Sequence, residues 1–423
     1  MVRQRVGLLE SLRRPPQEAR QAGTLTLVPK RSVRQLNLRG KRVFVRVDFN
    51  VPLKAGVIGD DTRIRETLPT ITYALEQGAS AVILASHLGR PKGKPNAEMS
   101  LRPVAQRLGE LLRKPVTFAE DCVGPAAENA VKAAPVGGVV LLENLRFHAE
   151  EETNDPGFAK RLAALADAYV NDAFGAAHRA HASVEAIVRR MPDAAAGLLM
   201  ERELKYLGGV LGNPERPFVA IIGGAKVSDK IEVIQNLLDR VDRLIIGGAM
   251  AYTFFKVRGL PVGRSLVEDD KLESARVIAG RAQARGDILM LPTDHVVALK
   301  LEAGQPTETL AVDDPAIGPR MGLDIGPATV AAYRDAVKSA KTVVWNGPMG
   351  VFEIDAFAQG TVALAQAVAE VRGTTIIGGG DSIAAVKKAG VADRITHIST
   401  GGGASLEFLG GRKLPGVEVL PEA

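Results

Sequence analysis

The sequence predicts an α/β protein built from two doubly wound parallel-sheet domains joined by a hinge helix. Apolar segments rich in β-branched residues alternate with amphipathic helical segments along most of the chain, and the pattern occurs twice. The chain has 423 residues, which is more than one compact core usually holds. Alternating strands and helices imply parallel sheets with helices on both faces.

Nine segments have the apolar, β-branched composition of buried strands, four in the first half and five in the second. They are RVFVRVDF (42–49), AVILAS (81–86), GVVLLEN (138–144), AYVNDAF (168–174), FVAIIGG (218–224), RLIIGG (243–248), DILML (287–291), KTVVWNG (341–347) and TTIIGGG (374–380). Between them, LRPVAQRLGELLRK and GTVALAQAVAEV place apolar residues at i, i+3, i+4 and i+7 and are predicted helices. The organisation is Rossmann-like in both halves.

The join between the domains is predicted in residues 196–217, AGLLMERELKYLGGVLGNPERP. We expect a helix there that Gly208 and Gly209 close, followed by a turn rich in Gly and Pro.

Charge and cysteine content exclude several classes of protein. Residues 1–46 carry twelve Lys and Arg against two acidic residues, a net +10 that leaves −4 for the rest of a chain whose total is +6. A nucleic-acid-binding arm stays open, but no aromatic residue lies among the basic residues before Phe44, which belongs to a predicted strand, so a partly disordered extension is favoured. The single cysteine, Cys122, rules out an internal disulfide and suits a reducing compartment. The apolar run 244–255 is too short to span a bilayer.

Polar side chains follow the predicted strands of the first half, where the carboxyl ends of parallel strands form the ligand-binding edge. Four arginines and several histidines at this edge predict a basic basin for a small molecule with two anionic ends. The spacing of His178 and His181 lacks a metal-site frame, so anion binding is favoured. The basin residues are Asp48, Asn50, Arg63, His87, Arg90, Arg146, His178, Arg179 and His181.

Glycine clusters follow the predicted strands of the second half. Backbone N–H groups at such turns approach phosphates closely, and Lys226 and Lys230 lie among them, which predicts a nucleotide site. Asp381, after three glycines, is a candidate Mg²⁺ ligand and also a candidate N-cap of the helix SIAAVKKAG. The clusters are GGAKVSDK (223–230), GGAM (247–250), MGLDIG (321–326), WNGPMG (345–350), GGGDS (378–382) and STGGGAS (399–405).

No activated nucleophile is evident, because G-x-S-x-G is missing and Cys122 has no obvious histidine partner in the sequence. A reaction that needs positioning and charge neutralisation fits best, and phosphoryl transfer is such a reaction. An NAD-dependent dehydrogenase would share the architecture, but it should show G-x-G-x-x-G, which these clusters lack.

Eight motifs in order resemble those of the phosphoglycerate kinases: RVDFNVP, SHLGRP, LLENLRFH, NDAFGAAHRAH, GGAKVSDK, WNGPMGVFE, GGGDS and STGGGASLE. The resemblance covers roughly residues 32 to 423. It implies reversible transfer of the acyl phosphate of 1,3-bisphosphoglycerate to ADP, giving ATP and 3-phosphoglycerate, with Mg²⁺ bound alongside ADP or ATP. It further implies a cytoplasmic, monomeric enzyme of glycolysis and gluconeogenesis with no nucleic-acid or membrane partner.

The resemblance also implies a role for individual residues. The acid would bind to Asp48, Asn50, Arg63, His87, Arg90, Arg146 and Arg179. Arg63 and Lys226 would contact the phosphoryl group in transfer, to which the glycines at 401–403, with Gly402 and Gly403 as catalytic groups, would offer N–H donors. The nucleotide would bind to Lys230, Gly322, Asn346, Glu353, Gly379, Gly380, Asp381 and Ser382. Within that set Glu353 would hold the ribose, Gly322 would face the adenine and Asp381 would hold the metal.

Four segments follow from these expectations. Residues 1–31 are a basic extension that the resemblance does not explain, either a true extension or the result of a start codon placed too early. Residues 32–200 form the acid-binding domain and residues 201–404 the nucleotide-binding domain. Residues 405–423 return to the first domain.

Overall fold

The structure, a computed structural model, describes residues 28–423. Most of the predicted N-terminal extension, residues 1–27, lies outside the described residues. Its last residues contact the C-terminal end of the chain: Lys30 forms an antiparallel bridge with Glu422, and the Arg31 N–H donates to the Pro421 carbonyl at 2.8 Å.

The N-terminal domain is built on a parallel sheet of six strands in the order β5-β6-β4-β1-β7-β8. A short antiparallel hairpin, β2–β3, lies outside it. The strands are β1 (Arg42–Arg46), β2 (Leu53–Lys54), β3 (Val57–Ile58), β4 (Ala81–Ala85), β5 (Val116–Ala119), β6 (Gly138–Leu142), β7 (Ala168–Asn171) and β8 (Ala194–Ala196). The helices are α1 (Thr62–Glu76), α2 (Arg102–Leu112), α3 (Gly124–Ala133), α4 (Ala149–Glu152) and α5 (Pro156–Ala163).

Helices cover both faces of this sheet, as the run of buried side chains in each strand predicts. Along β1 the side chains of Val43 and Val45 belong to one apolar cluster, and that of Phe44 belongs to another on the opposite face. The strand order reverses between β1 and β7, so a ligand site is expected at their carboxyl ends.

The C-terminal domain has a second parallel sheet of six strands, in the order β11-β10-β9-β15-β16-β17. A separate antiparallel sheet, β13-β12-β14, which the sequence analysis did not predict, lies beside it. The strands are β9 (Phe218–Ile222), β10 (Arg243–Ile246), β11 (Leu289–Met290), β12 (Asp294–Ala298), β13 (Glu308–Ala311), β14 (Met321–Ile325), β15 (Thr342–Asn346), β16 (Thr374–Gly378) and β17 (His397–Ile398).

The helices that complete this half are α7 (Ile231–Leu238), α8 (Ala251–Val257), α9 (Leu272–Ala284), α10 (Pro327–Lys338), α11 (Gln359–Ala369), α12 (Gly380–Lys388), α13 (Gly403–Leu409) and α14 (Pro415–Glu418). The strand order of the main sheet reverses between β9 and β15, which gives this domain a switch point of its own. The predicted pair of doubly wound domains is thus confirmed.

The joining helix α6 (Leu198–Gly212) is longer than expected. The prediction that Gly208 and Gly209 close it is wrong, since the helix continues through both to Gly212. Leu207, Val210 and Leu211 are buried on its inner face, and this packing outweighs the cost of roughly 1 kcal/mol for each glycine.

The C-terminal segment packs against the N-terminal domain. The Gly416 N–H donates to the Ala177 carbonyl at 2.8 Å, and the Asn171 side chain donates to the Gly416 carbonyl at 3.0 Å. Between the domains, the Lys387 ammonium on α12 lies 2.8 Å from the Asp60 carboxylate before α1.

Candidate active site

Eight of the nine residues of the predicted basin line one cavity of about 190 Å³ at the carboxyl edge of the N-terminal sheet, and His181 is the one that does not. Each one lies after a strand or at the start of a helix, because the loops leave the sheet there. Asp48 and Asn50 follow β1, His87 and Arg90 follow β4, Arg146 follows β6, Arg179 follows β7, and Arg63 is in the first turn of α1.

Asp48 and Arg63 form an ion pair in this cavity. The Arg63 Nη1 donates to Asp48 Oδ2 at 2.8 Å, and the Asn50 N–H donates to Oδ1 at 3.2 Å. Burial alone would raise the pKa of Asp48, but the positive charges of Arg63 and Arg46 contribute to holding it below the ordinary value. Asp48 is therefore ionised at neutral pH and fixes the direction of Arg63.

His87 is buried and neutral. Its pKa lies well below 6.5, first because burial disfavours the charged form and also because Arg46 and Arg146 are close. The Arg46 Nη2 lies 3.2 Å from His87 Nδ1. Since a guanidinium only donates, Nδ1 accepts and the ring proton resides on Nε2. His87 is thus a neutral N–H donor at the cavity.

Arg146 and Asn50 hold the backbone of Gly89 between them. Arg146 Nη1 donates to the Gly89 carbonyl at 2.8 Å, and Asn50 Oδ1 accepts from the Gly89 N–H at 2.9 Å. Burial lowers the pKa of Arg146 to about 10, so the guanidinium is still charged at neutral pH. Gly89 has a φ of 63°, and a Cβ there would lie 2.9 Å from Met99 Sδ, so glycine is required.

The two remaining arginines differ in how they are held. Arg179 Nε donates to His178 Nε2 at 3.1 Å. Arg90 is exposed, and its side chain makes no hydrogen bond or ion pair to any residue between 28 and 423. Arg90 is therefore available to an anion from outside.

A buried network beneath the basin was missed by the sequence analysis. Arg46 is fully buried, and its Nε donates to Ser183 Oγ at 2.8 Å. The Ser183 hydroxyl donates to Glu151 Oε1 at 2.6 Å, so a hydroxyl links a buried cation to a buried carboxylate. The signal was present, because Arg46 interrupts an otherwise apolar strand, and a charge in such a place is rarely without a partner.

A loop of the C-terminal domain completes the basin. Gly401, Gly402 and Gly403 line the same cavity as the arginines. Glu203 of α6 holds the start of this loop, since its Oε1 accepts from the Thr400 N–H at 2.7 Å and its Oε2 lies 2.8 Å from His397 Nε2. The joining helix thus positions a C-terminal loop over an N-terminal site.

A second cavity of about 340 Å³ lies in the C-terminal domain. Three of the predicted nucleotide residues line it: Gly322, Glu353 and Asp381. The other lining residues are mostly apolar or glycine, as in sites for flat organic rings. Gly322 is in contact with Tyr252: a Cβ at Gly322 would fall 1.4 Å from the Tyr252 hydroxyl oxygen.

Lys230 and Asn346 are hydrogen-bonded to each other, the lysine donating to Asn346 Oδ1. Burial lowers the pKa of Lys230, while the carboxylates of Asp229 and Asp381 oppose that shift. Asn346 Nδ2 is buried without a partner among the described residues. An unpaired donor beside a partly buried ammonium fits an anion.

Helix α12 begins at Gly380, and the residue before it, Gly379, has a φ of 90°. Asp381 is therefore in the first turn, and the expectation that it is the N-cap is wrong, because Gly379 takes that position and the helix begins two residues earlier than an Asp381 cap would require. Its exposed carboxylate faces the second cavity. The Ser382 hydroxyl is buried and accepts from the Gly347 N–H at 2.6 Å.

Lys226 is exposed and forms no hydrogen bond or ion pair within residues 28–423. It lies between β9 and α7, four residues before Lys230, which is the residue preceding α7. Glu353 is exposed at the cavity rim.

None of the helices between residues 28 and 423 is both long and apolar enough to cross a bilayer.

Comparison with known proteins agrees with this geometry. The family model for phosphoglycerate kinase matches residues 33–412. A phosphoglycerate kinase of Solibacter usitatus is 63% identical over 394 residues, which are 92% of this chain and 98% of that protein. One of Moorella thermoacetica is 60% identical over 393 residues, covering 93% and 99%.

Solved structures of phosphoglycerate kinases are also similar to this chain. Phosphoglycerate kinase from Coxiella burnetii superposes with a TM-score of 0.84 at 44% identity, over 92% of this chain and 98% of that one. The enzyme from Pyrococcus horikoshii gives 0.81 at 35% identity over the same shares. The chain therefore belongs to the phosphoglycerate kinase family, whose members are kinases, that is, phosphotransferases.

Proposed function

We propose that this chain transfers the acyl phosphate of 1,3-bisphosphoglycerate to ADP, giving ATP and 3-phosphoglycerate, and that it does so reversibly with Mg²⁺. The observation that carries the proposal is the shared cavity: glycines 401–403 of the C-terminal domain line the same space as the arginines of the N-terminal domain. A phosphoryl group held there touches both domains.

The N-terminal basin binds the acid. Arg90, Arg146 and Arg179 offer charged donors to its carboxylate and phosphate, because guanidinium groups recognise both bidentately. His87 adds a neutral Nε2–H donor, and Asn50 fixes the loop that carries Gly89. The ionised Asp48 holds Arg63 at the edge of the site, where it also contacts the migrating phosphoryl group.

Transfer itself requires the domains to close. Lys226 has no hydrogen-bond or ion-pair partner among the described residues. Its ammonium group is therefore free to follow the phosphoryl group while negative charge develops on that group. The N–H groups of Gly402 and Gly403 provide further donors to the equatorial oxygens. Closure also removes water, which would otherwise hydrolyse the acyl phosphate.

The nucleotide occupies the C-terminal cavity. Gly322 faces the adenine, Glu353 at the rim holds the ribose, and Lys230 with Asn346 binds the phosphates. Gly379, Gly380 and Ser382 form the start of α12, whose positive end favours phosphate. Asp381 fits a Mg²⁺ ligand, since its carboxylate is exposed to the cavity and Mg²⁺ takes one or two carboxylates beside phosphate oxygens. When bound, the ion neutralises phosphate charge.

Replacement of Asp381 tests the metal assignment. Asp381→Asn keeps the shape of the first turn of α12 but removes the charge, so we expect the Mg²⁺ concentration for half-maximal rate to rise at least tenfold. Asp393→Asn, an exposed acid beyond the same helix, is the control and should change nothing. An unaltered Mg²⁺ dependence in Asp381→Asn removes that residue from the metal site.

We further propose a monomeric, cytoplasmic enzyme that works in glycolysis and gluconeogenesis without a nucleic-acid or membrane partner. A single, buried cysteine leaves no disulfide to form, which suits a reducing compartment.

A coupled assay of ATP formation from 1,3-bisphosphoglycerate and ADP tests the function. We expect turnover that depends on both substrates and on Mg²⁺, and the reverse reaction from ATP and 3-phosphoglycerate. Hydride transfer with a nicotinamide cofactor in place of ATP formation would support the alternative class, a dehydrogenase.

A further inference from the structure

Three potential metal ligands meet outside the kinase site: Asp121, Cys122 and His148. One side-chain oxygen, the Sγ and a ring nitrogen all lie within 4.8 Å of one another. Asp121 and Cys122 follow the edge strand β5, and His148 follows the short turn after β6, so the sheet brings together residues that the sequence separates. Cys122 thus has the histidine partner that no local motif reveals.

The spacing suits a tetrahedral ion. With metal–sulfur bonds near 2.3 Å and metal–nitrogen or metal–oxygen bonds near 2.0–2.2 Å, tetrahedral ligand atoms are roughly 3.3–3.7 Å apart. The His148 Nε2 and Asp121 Oδ1 are at present 2.7 Å apart, joined by a hydrogen bond. A metal would replace the shared proton and open that pair by less than about 1 Å, and the sulfur already lies within 4.8 Å of both atoms.

The donor set selects the kind of metal. A thiolate and an imidazole are soft or borderline ligands that suit Zn²⁺, whereas Mg²⁺ and Ca²⁺ prefer oxygen. Cys122 is buried, and the Asp121 carboxylate beside it supplies a negative charge that attracts a divalent cation.

The cluster is open to solvent on one side. The side chains of His148 and Asp121 are 24% and 43% exposed, while the Cys122 side chain lies beneath them. This provides an entry path and leaves a coordination position for water. We infer that Asp121, Cys122 and His148 form a binding site for Zn²⁺ or a similar transition-metal ion, separate from the nucleotide's Mg²⁺ site in the other domain.

Binding has a defined proton balance. The ion forms bonds to Cys122 Sγ, His148 Nε2 and an Asp121 oxygen; the Sγ proton leaves to solvent, and the single proton of the neutral imidazole passes from Nε2 to Nδ1. The imidazole then keeps a proton on Nδ1. No oxidation or reduction takes place.

Titration of the full-length, tag-free protein with Co²⁺ tests the site. Cobalt bound to a thiolate absorbs by sulfur-to-metal charge transfer, and Cys122 is the only cysteine in the chain, so any such band reports this residue. We expect a band that saturates at one Co²⁺ per chain and is abolished by excess Zn²⁺. No charge-transfer band at any Co²⁺ concentration would overturn the proposal.

Variants separate a built site from a lone thiol. His148→Gln and Asp121→Asn, both partly exposed, should each weaken Co²⁺ binding by about tenfold or more. Glu120→Gln is the matched control, because Glu120 precedes Asp121 but pairs with Arg102 outside the cluster. Unchanged Co²⁺ affinity in both His148→Gln and Asp121→Asn would contradict the proposal, and thermal unfolding of each variant confirms that it is folded.

Discussion

Gly322 shows how one missing side chain shapes the nucleotide cavity. It lies against Tyr252, whose hydroxyl is 2.8 Å from His295 Nδ1, and the Gly322 N–H donates to Ser265 Oγ at 3.0 Å. The Tyr252 hydroxyl and His295 Nδ1 are thereby occupied with each other, whereas His295 Nε2 is buried without a partner among the described residues; the rest of the wall is mostly apolar.

Gly322→Ala should therefore raise the KM for ATP. The new Cβ would fall on the Tyr252 hydroxyl, so the tyrosine must leave its place and disturb the cavity. We expect an increase of about tenfold or more, which corresponds to about 1.4 kcal/mol of binding. Gly280→Ala is the control: Gly280 is an exposed helical residue with nothing within 4 Å. A normal ATP KM in Gly322→Ala would place the base elsewhere.

The carboxyl group of Asp324 is buried and has a pKa far above that of an ordinary aspartate. Burial raises its pKa to about 7, although its oxygens accept from the Gly360 N–H at 2.7 Å and the Ile325 N–H at 2.9 Å. An unfolded aspartate titrates near 3.8. The folded state therefore holds the proton more tightly, and the stabilisation that this gives is present below about pH 4 and is lost as pH rises to about 7.

The pH dependence of stability in the wild type and in Asp324→Asn tests the raised pKa of Asp324. The difference in free energy of unfolding, wild type minus variant, should fall by a few kcal/mol between pH 4 and pH 7.5, because a shift of three pKa units corresponds to about 4 kcal/mol at most. Using the difference cancels the titration of all other groups. A difference that is flat with pH would show that Asp324 has an ordinary pKa.

At the scale of elements, α6 shows that packing decides where a helix ends. Gly209 is exposed in its interior, and a Cβ there meets nothing within 4 Å. Gly209→Ala should raise the free energy of unfolding by about 0.5–1 kcal/mol, as measured by denaturant titration.

Gly390→Ala is the matched contrast for this prediction. A Cβ there also meets nothing within 4 Å, but its φ is 68°, which other residues adopt at a cost. We expect a loss of about 1 kcal/mol. Equal effects of the two substitutions would mean that backbone conformation does not govern them.

The buried strands of the two parallel sheets could be predicted from the sequence. The nine predicted strands all correspond to strands of the two parallel sheets, because fully buried strands give continuous β-branched runs. The edge strands β5, β8 and β17 were missed. Val116–Ala119 is only partly buried and Ala194–Ala196 is three alanines, so neither has a distinctive composition. The small antiparallel sheet was missed for the same reason, as its outer strand β13 is mostly exposed.

The N-terminal basin could be predicted from the sequence, because anion binding requires particular residue types at the ends of strands. The eight basin residues that line the cavity follow strands or start a helix, and the parallel topology brings them together. Arg46 within an apolar strand signals a buried charge, but its partners Ser183 and Glu151 could not be predicted, since they are far from it in sequence. The meeting of Cys122 with His148 was missed for the same reason.

At the scale of the whole molecule, the two domains share one basin and one core. The largest apolar cluster continues from the N-terminal sheet through α6 to the C-terminal sheet, and Glu203 of α6 holds the loop that carries glycines 401–403. Motion of α6 therefore moves that loop. In the proposed complex the acid and the nucleotide lie on opposite sides of α6, and Lys226 approaches the basin when the domains close.

The most direct test is the single-turnover rate of ATP formation from 1,3-bisphosphoglycerate and MgADP, measured for the wild type, Lys226→Ala and Lys338→Ala. Lys226 is exposed and forms no hydrogen bond or ion pair among the described residues, so its loss should leave folding and MgADP affinity nearly unchanged. We predict rapid ATP formation by the wild type and by Lys338→Ala, an exposed control on α10, and a rate at least about 10³-fold lower for Lys226→Ala. Lack of ATP formation by the wild type, or a near-normal rate in Lys226→Ala, would contradict the account.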